Sequence, residues 1–152
     1  MYYIAYGSNL NMEQMDFRCP TAVPVGSGSI RGYQLNFRGS KTGSYLTIDP
    51  CEGGEVPVGI WKIENEDLDS LDQYEGYPRF YDRKVIEVDC TGFKTKRKRK
   101  VKAYVYIMTG NRPIGVPSTR YLNTCFVGCC EFGLDTFPIT EAYIRAFENN
   151  NK

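Results

Sequence analysis

One carboxylate in this chain stands out by its position. Leu68, Leu71 and Glu75 are spaced three and four residues apart, so on a helix they share one face. The stretch from Glu64 to Glu75 holds six acidic residues, and five of them can face water. Asp67, Asp69 and Asp72 point away from the stripe, and Glu75 alone falls on the side that must meet a core. Burial disfavours the anion there, as does the negative end of the helix dipole in the last turn. An ordinary Glu titrates near ~4.3. One so placed is expected near ~6, where a carboxyl can take up and return a proton at neutral pH. The alternative is a helix-end Glu turned out to water.

A second feature is the junction Tyr6-Gly7-Ser8-Asn9, which leaves a strand and enters a helix. Gly7 lets the backbone come close to a ligand. Successive amides there can form a small anion nest, backed by the positive end of the helix. On its own the junction is equally a tight turn. Histidine is absent from the sequence, which removes Ser-His and Cys-His catalysis, histidine metal ligation and histidine pH switching together. A serine hydrolase would need a Ser-Lys arrangement, for which there is no signature. The six cysteines (Cys19, Cys51, Cys90, Cys125, Cys129, Cys130) contain no C-x-x-C, so neither a zinc site nor a redox pair is expected. Free thiols are the expectation for all six. Cys125 and Cys129, four apart on one helix face, read as small core residues.

The elements that must position these groups follow from pattern and punctuation. Tyr2 to Tyr6 is expected as a short strand. Asn11 caps a short helix through Asp16, with Gln14 three residues on. Residues 23–38 read as one long or two short strands, interrupted by Gly26, Gly28 and Gly32. Tyr45 to Ile48 and Val56 to Ile63 are two further strands. A helix is expected over Glu64 to Tyr74, with Asn65 as N-cap and Gly76 as its C-terminal stop. Val85 to Cys90 and Val101 to Met108 read as a strand pair. Pro117-Ser118 starts a helix to about Glu131, closed by Gly133. Pro138-Ile139-Thr140 starts the last helix, to about Glu148, leaving a frayed tail Asn149 to Lys152. This order is not a βαβ alternation, so an α+β domain with a curled, mainly β centre is expected. Tyr74, Tyr77, Tyr81, Tyr104 and Tyr106 are candidates to wall a pocket.

A chain of 152 residues with 41% hydrophobic residues suits one domain with a real core. The opening MYYIAYGSNL has no basic n-region and too short an apolar run for a signal peptide, and no stretch nears the ~20 apolar residues of a membrane helix. A cytoplasmic location is the expectation. The chain has 19 basic and 18 acidic residues, which argues against a wholly basic nucleic-acid protein. Seven of the basic residues lie in the nine from Lys94 to Lys102, leaving 12 against 18 elsewhere. That run reads as a solvated hairpin tip whose lysines discourage edge pairing. A site for nucleic acid or another polyanion is the other reading, disfavoured because no aromatic interleaves the run for base stacking.

Several segments together are recognisable. Ala5-Tyr6-Gly7-Ser8-Asn9-Leu10 resembles the opening motif of the γ-glutamylcyclotransferase-like (AIG2-like) family. Leu71-Asp72-Gln73-Tyr74-Glu75-Gly76 resembles the segment carrying that family's catalytic Glu. Tyr81-x-Arg83, Tyr104-Val105-Tyr106 and Pro117-Ser118-Thr119-Arg120-Tyr121 with Gly128 and Gly133-Leu134 follow in matching order, over residues 2 to about 147. The resemblance implies an α+β fold around a partly closed, mixed β-barrel with flanking helices. It implies conversion of γ-glutamyl compounds to 5-oxoproline and a free amine or amino acid, with no cofactor and no metal. It assigns Glu75 as general base and acid, Tyr6, Gly7, Ser8, Asn9 and Leu10 to the loop that holds the γ-glutamyl group, and Tyr121 to substrate contact. It makes a homodimer plausible. The Ser-Asn-Leu wording is more similar to the γ-glutamyl amino acid or peptide branch than to the γ-glutamylamine branch. The basic run and the Cys129-Cys130 pair are not features of the resemblance. A non-catalytic module that keeps the pocket and uses residues 94–102 for polyanions is the rival expectation.

Overall fold

The computed structural model describes residues 1–40 and 43–150. Among them five strands close into a barrel in the order β1-β3-β2-β4-β5. The strands are β1 (Tyr2–Ala5), β2 (Val23–Ser40), β3 (Gly43–Lys62), β4 (Tyr81–Gly92) and β5 (Lys98–Met108). The helices are α1 (Met12–Arg18), α2 (Asn65–Glu75), α3 (Thr119–Glu131) and α4 (Phe137–Asn150), and a short 3-10 turn spans Ser8–Leu10. The barrel is mixed: β1 runs parallel to β5 and antiparallel to β3, and the other pairings are antiparallel. Two seams are narrow. β1 joins β5 at Tyr2↔Ala103 and Tyr3↔Tyr104, and β2 joins β4 at Gly26↔Gly92 and Ser27↔Thr91.

Side chains alternate across each strand, so a half-buried strand buries every second residue. Val56, Val58 and Ile60 of β3 follow that rule and are fully buried. Tyr3, Ile4 and Ala5 of β1 are buried in succession, because both faces of this strand are covered. Helix α4 lies on β2, where Ile139, Ala142 and Ala146 are buried and Arg145 donates to Leu35 O at 2.5 Å and Asn36 Oδ1 at 3.0 Å.

Several expectations need correction. The segments Tyr45–Ile48 and Val56–Ile63 belong to one strand. The Pro-Gly-rich stretch between them passes through as a bulge, because β2 pairs on both sides of it, Tyr33 with Pro50 and Arg31 with Glu55. Gly32 and Gly53 take the positive φ values (84° and 76°) that this bulge requires. Residues 23–38 likewise form one strand, with register shifts at Pro24/Gly26 and Arg31/Tyr33. The N-cap of α2 is Glu64, not Asn65: Asp67 reaches back to accept the Glu64 N–H at 2.9 Å. Asp67 is therefore not solvent-facing. It is 2% exposed and also accepts from the Thr21 hydroxyl at 2.6 Å. At the other end, Asn149 and Asn150 complete α4 rather than fray, and Asn151 and Lys152 lie outside the described residues.

The six cysteines are free, and Cys125 and Cys129 are buried in the core. The basic run divides between a turn over residues 93–97 and the start of β5. Within β5, Lys100 faces Asp89 and Lys102 faces Glu87 across the β4 pairing, and Lys100 Nζ lies 3.8 Å from Glu87 Oε1. Arg99 donates to Tyr2 Oη at 2.9 Å. Among the described residues Lys100 is the member of the run that reaches a carboxylate.

Candidate active site

Strand β1 delivers its chain end to one mouth of the barrel. Tyr6 stays buried and donates its hydroxyl to Tyr106 O at 2.5 Å. The chain then turns through Gly7 into the 3-10 turn, which ends at Asn11. Asn11 caps α1 by accepting the Gln14 N–H at 3.1 Å. The first amides of a helical turn have no acceptor behind them. Here Leu10 N and Asn11 N bond to Gly7 O and Ser8 O, whereas the amides of Gly7, Ser8 and Asn9 find no backbone acceptor among the described residues. A Cβ on Gly7 would come within 3.3 Å of Tyr121 Oη and 3.5 Å of Leu46 Cβ, so glycine keeps this passage open.

Facing the turn is the last residue of α2. Gly76 ends the helix in the left-handed conformation (φ 67°). Glu75 therefore sits on the final turn, one residue before the chain swings away, with its carboxyl in a cavity of about 310 Å³. The side chain is partly buried. Asn9 Nδ2 donates to Glu75 Oε1 at 3.3 Å and to Tyr3 Oη at 2.9 Å. Desolvation pushes the Glu75 carboxyl up to about 7, against a smaller opposing pull from the Arg18 guanidinium. The sign matches the sequence-based expectation, and the displacement is larger.

The wall explains the desolvation. Seven tyrosines line the cavity, and the hydroxyls of five of them are already engaged elsewhere. Tyr6 binds Tyr106 O, Tyr81 donates to Leu46 O at 2.7 Å, and Tyr106 donates to Asp72 Oδ1 at 2.6 Å. Tyr121 accepts the Leu46 N–H at 3.1 Å, and Tyr3 accepts from Asn9. With their polar atoms engaged, these residues offer the carboxyl mainly ring surface. The same burial raises all five phenols further above neutrality.

Of the residues singled out from the sequence, Tyr6, Gly7, Ser8, Asn9, Glu75 and Tyr121 converge on this cavity. Leu10 does not line it. Its side chain is buried behind the turn, against Gly59, while its backbone lies against Gly128 of α3. Among the candidate tyrosines, Tyr74, Tyr81 and Tyr106 line the cavity, and Tyr77 and Tyr104 do not. Those two flank Arg83, whose guanidinium lies 4.5 Å and 5.3 Å from their rings. Asp72 points away from the cavity to bind Arg83 and Tyr106. The sequence did not single out Tyr3, Tyr45, Leu46 or Phe80, which also line it, nor Arg18, which binds Asn9 Oδ1. Tyr3 lies within the strand that leads to Gly7, which was the available signal. Tyr45 is brought to the mouth by β3 and its pairing with Arg38, and Phe80 by the turn after α2, where its N–H donates to Gly76 O at 2.9 Å.

A barrel with a buried carboxyl opposite a strand-to-helix turn defines a fold and site class with known relatives. The sequence pattern of the family described as "Gamma-glutamyl cyclotransferase, AIG2-like" matches residues 3–123. The human protein named Gamma-glutamylcyclotransferase is 34% identical over 158 residues, covering 98% of this chain and 79% of that protein. The mouse protein of the same name is 31% identical over 139 residues, covering 87% and 71%. A solved structure titled "Gamma-glutamyl cyclotransferase" superposes with a TM-score of 0.77 at 29% identity, over 93% of this chain and 85% of that one. The chain belongs to the γ-glutamyl cyclotransferase, AIG2-like family.

Proposed function

We propose that this protein is a γ-glutamyl cyclotransferase in which Glu75 carries the proton. One observation supports the reading above the rest. A single carboxyl, raised to about 7, stands in a tyrosine-walled cavity opposite backbone amides that find no backbone acceptor among the described residues. In this reaction the substrate's α-amino nitrogen attacks its own γ-carbonyl carbon. A C–N bond closes the five-membered ring, and the original γ-amide C–N bond breaks to give 5-oxoproline and the free amine. The nucleophile is tethered, so selecting the folded conformer supplies much of the acceleration, with effective molarities that can reach ~10⁵ M.

What remains is proton traffic and charge. Glu75 as anion takes a proton from the α-ammonium, which frees the attacking lone pair. Glu75 as acid then delivers that proton to the leaving nitrogen, the ring nitrogen sheds its second proton to solvent as it becomes the lactam N–H, and the carboxylate is restored. The amides of Gly7, Ser8 and Asn9 are the donors available for the tetrahedral oxyanion or for the α-carboxylate. Tyr6 and Tyr121 shape the space on either side of the γ-glutamyl chain, and Leu10 holds the turn from behind. The reaction draws only on groups of the chain and the substrate.

The decisive experiment follows 5-oxoproline release across γ-glutamyl substrates that differ only in the leaving amine, with Glu75→Gln as control. The expected result is release by the wild type and a loss of at least about a thousandfold in Glu75→Gln, with unfolding still cooperative. Near-normal turnover in Glu75→Gln overturns the role given to Glu75. Binding without release by the wild type makes the chain a binding module instead.

A further inference from the structure

Arg18 was singled out by neither motif nor spacing, yet it ends a chain of contacts that reaches Glu75. It is the last residue of α1, where a cation is favoured by the helix dipole. Its guanidinium binds Asn9 Oδ1, receives support from Gln14 Oε1 at 3.0 Å and lies 3.3 Å over the Tyr74 ring. Asn9 is buried, with both ends of its side chain engaged, and its carbonyl accepts from Trp61 Nε1 at 3.0 Å.

We infer that Arg18 is a positioning residue for Glu75, acting through Asn9. The inference rests on the reading of Glu75 as the proton carrier. A primary amide has one acceptor end and one donor end, and a guanidinium only donates. By occupying Oδ1, Arg18 turns the Asn9 nitrogen toward Tyr3 Oη and Glu75 Oε1. Without it, a flipped Asn9 would set an acceptor against the carboxylate, which only a protonated Glu75 could satisfy. The orientation and the positive charge act in the same direction, and both favour the anion that must receive the substrate's proton.

Other groups around Glu75 do not substitute for this. Tyr3 on β1, Tyr6 in the first loop, Tyr81 on β4, Tyr106 on β5 and Tyr121 on α3 stay neutral well above physiological pH. Tyr74 on α2 is occupied by the Arg18 stack and lies near Ser8 Oγ, at 3.5 Å. Asp72, the acid one turn back on α2, is bound by Arg83. Among the described residues Arg18 supplies the one cationic influence on the Glu75 carboxyl.

The test compares kcat/KM for 5-oxoproline release as a function of pH in wild type, Arg18→Met, Arg18→Lys and Glu75→Gln. Met keeps length and apolar stem but loses charge and donors. Its acidic limb is expected to move up by about one pH unit, with turnover down about tenfold or more at neutral pH. Lys keeps the charge but not the two-point donor, so its limb moves less and turnover falls by about a fewfold. A limb unmoved in Arg18→Met overturns the inference, even if that variant is less stable. Should Arg18→Met fail to fold, an unchanged limb and unchanged turnover in Arg18→Lys overturn it. Activity surviving in Glu75→Gln instead overturns the reading beneath it, so the two failures are distinguishable.

Discussion

Glu75 holds its proton to about 7 in the folded chain, whereas a freely solvated Glu releases it near 4.5. Between those values the native state binds more protons than the unfolded state, so stability falls as pH rises through that window. The loss reaches about 3 kcal/mol once Glu75 is ionised in the fold. Glu75→Gln removes this term. The variant is expected to unfold at higher temperature than wild type at about pH 8, with the gap closing below about pH 4, where both states of the wild type hold the proton. Calorimetric midpoints at the two pH values check the sign. The same titration sets the rate. Because the anion starts the reaction, kcat/KM should rise with pH through about 7, whereas a limb near 4.5 would point to an ordinary carboxylate. In kcat the limb should lie lower, since a bound α-ammonium favours the anion. Glu75 was legible in the sequence because its signal is local, an acid on the stripe of Leu68 and Leu71. The pairing of Asn9 with Arg18 was not, since nothing in nine residues of sequence separation specifies that a side chain at the end of α1 turns back onto the preceding loop.

Elements legible from sequence are those whose ends carry their own chemistry. Asn11, Gly76, Ser118 and Gly133 each sit where cap chemistry placed them. Replacing Asn11 by Ala should cost about 1 kcal/mol, read as a shift in the urea midpoint. The continuity of β3 was not legible. Its Pro50 to Gly54 stretch signals a turn locally, and only pairing with β2 carries the chain through. Close packing between elements was equally invisible. Helix α3 approaches the first loop so closely that a Cβ on Gly128 would lie 2.4 Å from Asn11 N and 2.5 Å from Leu10 C. Both are backbone atoms, so the loop must move. Gly128→Ala is expected to lose about 1–3 kcal/mol and to raise KM more than it lowers kcat, because the displaced turn is the one facing the cavity. Steady-state kinetics beside thermal unfolding separate the two effects.

Across the whole molecule, the barrel supplies the rigidity that a fixed carboxyl and a fixed turn require. Tyr6, Tyr81, Tyr106 and Tyr121 tie strand, helix and loop together with the hydroxyls they withdraw from the cavity. The α+β class and the mainly β centre could be reached from composition and element order. Closure of the ring could not, because its seams rest on two residue pairs each. Charge is distributed with similar economy. Lys100 and Lys102 face Asp89 and Glu87 across the β4–β5 ladder, whereas Lys94, Lys96 and Arg97 sit at the tip, outside it. Replacing these three by Ser should leave 5-oxoproline release unchanged within about twofold, and retention of the wild type on heparin should vanish at modest salt. Retention that persists at high salt would show that the tip binds a polyanion in earnest.

Trp61 is the only tryptophan of the chain. Its indole nitrogen holds the carbonyl of Asn9, and its ring packs edge-on against Phe132 at 5.5 Å. The molecule therefore carries its own optical gauge of the loop. Light absorbed by that one indole reports whether its bond to the loop is kept or broken, so emission recorded while a ligand is added follows the first turn directly, with no attached dye.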